Sequence, residues 1–117
     1  MANTLMGNVG RWNIYACPVT TVAGVQKEII AASTGFRIRV LGCHLAGNVS
    51  GSVKIESAST ALTGDVPISA TGGYVLPMVP FHEAPWGGWM DTAASAALNV
   101  TSTTATAHGI IVAAVET

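Results

Sequence analysis

Between Gly35 and Ser57 the chain alternates. Phe36, Ile38 and Val40 are apolar with Arg37 and Arg39 between them, so an extended chain puts one kind on each face. At Gly42 the phase slips, and Leu41, Cys43 and Leu45 carry the apolar positions onward. A glycine at a phase change predicts a β-bulge, or a strand buried on both faces. "AGNVSG" then reads as a turn, and "SVKIES" returns with Val53 and Ile55 on one face and Lys54 and Glu56 on the other. This predicts a hairpin with Leu45 across from Val53 and Cys43 across from Ile55.

The rest of the chain has the same character. No segment of useful length shows a 3.6-residue period, and short β-branched runs are separated by Gly, Ser, Asn and Pro. Residues 19–34 read as one or two strands ending at Ser33-Thr34-Gly35. Residues 65–70 form a short strand that Pro67 confines to an edge or a strand start. Pro77 and Pro80 keep 74–81 extended without deep pairing, and 96–103 with 107–116 predict a second hairpin. The first dozen residues are polar and rich in Gly and Asn, so residues 1–18 are expected to be an arm and lead-in to a domain spanning 19–117. About eight strands at short spacing in one domain predict an all-β antiparallel sandwich or jelly roll.

Composition changes this picture in one respect. Hydrophobic residues make up 50% of the 117 positions and charged residues 9%, where soluble domains carry about 25% charged residues. Apolar and small polar side chains must therefore cover much of the outside, which points to a tightly associated homo-oligomer or a lattice component. The net charge is −1 and no basic stripe exists, so nucleic-acid binding is not expected. No apolar run approaches the roughly 20 residues of a membrane helix, and the N-terminus lacks the basic and apolar regions of a secretory signal. Cys17 and Cys43 match neither a disulfide framework nor a zinc spacing and are expected to be free, buried thiols. "NVS" at 48–50 and "NVT" at 99–101 are read as chance sequons.

The densest chemistry lies in "FHEAPWGGWMDTAASAALNV", residues 81–100. His82 and Glu83 are adjacent and point to opposite faces of an extended chain, so they do not share an ion. His44 and His108 fall singly in strands. No catalytic, metal or cofactor site is expected. Trp86 and Trp89 flank a Gly-Gly centre, and a place in the core or at a subunit seam is preferred over a partner contact or a sugar platform. An Ala-rich helix over "DTAASAAL" is not expected in an all-β setting.

The order of several pieces resembles small structural proteins of tailed bacteriophages. These pieces are Arg37-Ile38-Arg39-Val40-Leu41, Lys54 on the returning strand, Thr60-Ala61-Leu62-Thr63-Gly64, the Gly72-Gly73 turn, and "WMDTAASAALNV". The resemblance covers about residues 19–116, and the family often has Gly-Glu where this chain has Ser95-Ala96. It implies a jelly-roll protein, commonly trimeric, that decorates or cements the phage head, with no cofactor and no catalytic residues. The implied partners are further copies of the chain and the major capsid protein, and the implied location is the virion surface. On that reading Arg11, Trp12, Phe81, Trp86 and Trp89 are the candidate assembly contacts. The alternative is a head-fibre or receptor-binding module that holds a host glycan with Trp86, Trp89 and Tyr74.

Overall fold

A computed structural model describes residues 3–79 and 88–117. Among these residues there are eleven strands and no helix. The strands are β1 (Thr4–Val9), β2 (Trp12–Thr20), β3 (Lys27–Ile30), β4 (Ile38–Gly47), β5 (Gly51–Ser57), β6 (Thr60–Ala61), β7 (Val66–Ile68), β8 (Gly73–Leu76), β9 (Met90–Asp91), β10 (Leu98–Thr103) and β11 (Ala107–Glu116). One sheet runs β1-β2-β11-β4-β8, with β9 also on β4. The other runs β3-β10-β5-β6, with β7 also on β5. Every pairing is antiparallel.

With β1, β6 and β9 set aside, the pairing order is that of a jelly roll. The first strand pairs the last (β2 with β11), the second the second-last (β3 with β10), the third the sixth (β4 with β8), and the two middle strands pair each other (β5 with β7). A long antiparallel ribbon wound into two facing sheets produces this order. Between the sheets lies one core, built from Cys17, Val19, Ile38, Val40, Cys43, Leu45, Val53, Ile55, Leu98, Val100, Ile111 and their neighbours.

Several expectations hold. β4 carries a bulge where Val112 pairs Gly42 and Ala113 pairs Val40, and Ile38 through Cys43 are buried on both faces. Pro67 lies in the short edge strand β7. Residues 92–97 form a loop, and Ser95 turns it at φ 64°, a conformation that favours glycine. Ser95 Oγ accepts a hydrogen bond from the Gly35 amide at 2.7 Å, which helps hold this turn.

Two hairpins are corrected. β4 and β5 do not pair, and neither do β10 and β11; each couple crosses from one sheet to the other. Leu45 and Cys43 do meet Val53 and Ile55 in one cluster, but the strands lie on opposite sides of the core. The two crossings hold each other. Asn48 N donates to Thr106 O and Thr106 N to Asn48 Oδ1, while Gly51 backs so closely onto Thr103 and Ala105 that a Cβ there would lie 2.5 Å from the Thr103 carbonyl oxygen. Period-2 alternation has the same form in both arrangements, because facing sheets also set apolar side chains against each other.

The arm is corrected as well. Residues 4–18 are not a free lead-in; they form β1 and most of β2, and β2 lies between β1 and β11. "YACPV" alternates, sending Tyr15, Cys17 and Val19 into the core. Among the described residues β1 pairs β2 no further than Ala16, and Pro18, a residue without an N–H, falls beyond that last pair. Asn3 Nδ2 reaches the Ile29 carbonyl on the facing sheet at 2.9 Å and ties the chain start across the sandwich.

Candidate functional site

One end of the sandwich gathers the loops 21–26, 48–50, 69–72 and 104–106. None of these loops contains a Lys, Arg, Asp or Glu. Val22, Val25 and Val49 stand out from it at 65%, 55% and 49% exposure. Val22 and Val25 bridge each other across a tight turn in which Gly24 takes φ 78°. The loops are laced together. Thr21 exchanges bonds with Ala107, donating from its N–H at 2.9 Å and accepting at Oγ1 at 2.8 Å, and its hydroxyl lies 2.6 Å from that of Ser102. The β7–β8 loop joins through Gly47 N to Ser69 O at 3.2 Å. An uncharged end held this way is preorganised and presents exposed apolar side chains.

The outer face of the sheet containing β11 continues this uncharged surface. Ile111 and Ala113 point into the core, so Ile110 and Val112 point outward. Pro18, Ile110, His44 and Val75 stand in one row across β2, β11, β4 and β8, and Thr20, His108, Ala46 and Gly73 in the next. The other sheet and its edges instead carry Lys27, Glu28, Lys54 and Glu56. Over these rows the outer face therefore carries no charge, and Arg39 and Glu116, farther along the same face, are buried and ion-paired.

The opposite end is charged and closed. Arg39 is buried and grips Asp91 with two nearly parallel bonds, Nε to Oδ1 at 2.6 Å and Nη2 to Oδ2 at 2.9 Å. Its guanidinium lies 4.8 Å from the centre of the Trp12 ring, a cation–π distance. Hydrogen bonding to Asp91 raises the Arg39 pKa above its ordinary value. Glu116 receives the Arg37 backbone N–H at 2.8 Å, Arg37 Nε at 3.2 Å and Arg11 Nη2 at 3.0 Å. Burial pushes the Glu116 carboxyl up, but these bonds and the charges of Arg37 and Arg11 outweigh it and hold the group below the usual carboxylate range.

Three of the candidate contacts, Arg11, Trp12 and Trp89, lie at this end. Trp12 is corrected: at 3% exposure it is sealed with Leu41 and Ala114 in a small second cluster and is no surface anchor. Arg11 is exposed and bound to Glu116. Trp89 is 46% exposed, with its backbone N–H on the Val40 carbonyl and its indole N–H on the Pro77 carbonyl, both at 2.8 Å. The second bond clasps residue 89 to residue 77. Phe81, His82, Glu83 and Trp86 lie outside the described residues. Tyr74 packs against the main core, so Trp89 alone of the glycan trio is an exposed ring among the described residues.

Other candidate chemistry is absent among the described residues. No group of three or more His, Cys, Asp or Glu could hold a metal there, and His44 and His108 are single exposed side chains. No family model, curated protein or solved structure matches this chain. Asn99 of the second sequon is buried and its amide nitrogen is bonded to the Ala58 carbonyl at 3.0 Å, which leaves it unsuited to be a glycosylation acceptor.

The thiols stand in one row, Cys17 beside Ile111 beside Cys43. With a strand between them they are about 10 Å apart, too far for a disulfide. Burial pushes the Cys17 thiol up to about 11 and raises Cys43 as well, so both stay protonated at neutral pH. A thiol reagent such as DTNB at pH 8 is expected to find neither thiol in the folded protein and both after denaturation. Rapid labelling of the native chain would contradict this.

The sequence reading overlooked Val22, Val25, Val49, Val75 and Ile110. For Val22, Val25 and Val49 the signal is that four separate loops in a charge-poor chain contain no charge at all; for Val75 and Ile110, in β8 and β11, it is the strand register, which the sequence does not carry.

Proposed function

We propose that this chain is a non-enzymatic virion protein that binds the outside of a phage head as a homotrimer and stabilises the assembled shell. The observation that carries the reading is the uncharged, hydrogen-bonded loop end with Val22, Val25 and Val49 exposed, which suits a broad protein contact. The order of motifs resembling phage head decoration proteins gives the surface its partner, the major capsid protein. Binding to the assembled shell in preference to free subunits stabilises the shell by mass action. Trp89, exposed beside the Pro77 clasp, is the one observation that favours the glycan-binding alternative.

The test is co-sedimentation with undecorated capsids, using wild type and a Val22→Asp/Val49→Asp double variant. Wild type is expected to sediment with the shells. The variant puts charge into an apolar contact and is expected to bind at least about tenfold more weakly. A wild type that ignores capsids, or one that binds a glycan array without capsid, would count against the proposal.

A further inference from the structure

We propose that the uncharged rows of the β2-β11-β4-β8 outer face, from Ala16 and Val112 to Thr20 and His108, are the surface on which copies of this chain associate, with Ile110 near the centre of the contact. This rests on the homotrimer reading for the number of copies, but the assignment of the face comes from the structure. The row Pro18, Ile110, His44 and Val75 crosses all four strands in register, with Ile110 40% and Val75 56% exposed. Ala16 and Val112 continue the face toward the bulge at Gly42, and Met78 is exposed beside it; the Met78 backbone lies 3.1 Å from where a Gly42 Cβ would be. Among the described residues of these rows there is no Lys, Arg, Asp or Glu.

A copy of the same chain fits this face for two reasons. The first is charge. Three neutral faces can meet around a threefold axis, part of each against a different part of the next, without stranding an unpaired charge, the main penalty in a buried contact. The second is area. Strands about 4.8 Å apart, over the five residues from Ala16 to Thr20 at a rise of about 3.3 Å each, present a plane of roughly 19 by 17 Å, the size of the central patch of an interface. The sheet carrying Lys27, Glu28, Lys54 and Glu56 has no such neutral plane and is left facing water. The loop end lies at an angle to the sheet face, so both surfaces can be occupied at once.

The experiment is mass measurement in solution by sedimentation equilibrium across micromolar concentrations. The samples are wild type, Ile110→Lys, Val75→Lys and the control Thr101→Lys, whose site is on the outer face of the other sheet. Wild type and the control are expected at a multiple of the chain mass. Each face variant is expected to raise the dissociation constant at least about thirtyfold. Circular dichroism checks that each variant is folded, and if Ile110→Lys does not fold, the edge-strand variant Val75→Lys decides. A monomeric wild type, a folded face variant with wild-type mass, or dissociation by Thr101→Lys overturns the assignment. A monomer that still decorates capsids would sink this inference alone, and an oligomer broken by Ile110→Lys that ignores capsids would sink only the decoration reading.

Discussion

Gly109→Ala is expected to abolish folding or to cost roughly 3 kcal/mol or more, from strain and overpacking together. Gly109 sits in β11, the strand with neighbours β2 and β4 on either side, in register with Val19 and Leu45. Its φ is 150°, and an added Cβ would lie 1.8 Å from the His44 carbonyl oxygen and 2.9 Å from its carbon. The obstruction is backbone, so no rotamer change relieves it, and β4 cannot retreat without opening the main ladder of the sheet. Urea unfolding and soluble yield measure the effect. Gly64→Ala is the control, because nothing lies within 4 Å of its Cβ position. A Gly109→Ala variant as stable as that control would show that the close approach is relieved at no cost.

Asp91→Ala is expected to cost about 3 kcal/mol, the loss seen when a buried ion pair loses one partner. Arg39 is almost wholly enclosed, with Trp12 on one side, and a Cβ on Gly88 would lie only 2.6 Å from the Arg39 Cγ. Removing Asp91 takes the two-bonded carboxylate from a desolvated guanidinium that cannot shed its charge at any ordinary pH. Arg39→Met removes the charge and keeps most of the volume, leaving a half-exposed carboxylate that water can solvate. The damage should therefore be unequal: thermal unfolding should show Asp91→Ala falling roughly 10 °C or more, and Arg39→Met clearly less. Equal losses, or a larger loss for Arg39→Met, would mean that packing of the arginine stem on Trp12 matters more than its charge.

The sequence made the fold class legible because alternation, glycines and prolines act locally. The slip at Gly42 marked a real bulge, and Pro67 marked a real edge. What lay beyond reach was which strands are neighbours. Leu45 opposite Val53 satisfies the same pattern in a hairpin and across a core, and the bonds that decide it, between Asn48 and Thr106, join residues 58 apart in sequence. The N-terminal segment was misread because its first dozen residues are polar and rich in Gly and Asn, a composition that suits an exposed edge strand as well as an arm. Trp12 looked like an anchor because tryptophan beside arginine suits an interface equally well. Here Arg39, 27 positions away, reaches over the same ring.

The pairing of β2 with β11 also governs how the protein comes into being. The strand at the middle of the larger sheet is residues 107–116, so β2 and β4, made long before, have no common neighbour until that stretch has been synthesised. Until then their apolar sides and open ladder edges are available to any chain nearby. The larger sheet can close only once residues 107–116 have been made, in a step dominated by non-local contacts of the kind that slows folding. Its period of greatest risk is the interval before β11 arrives.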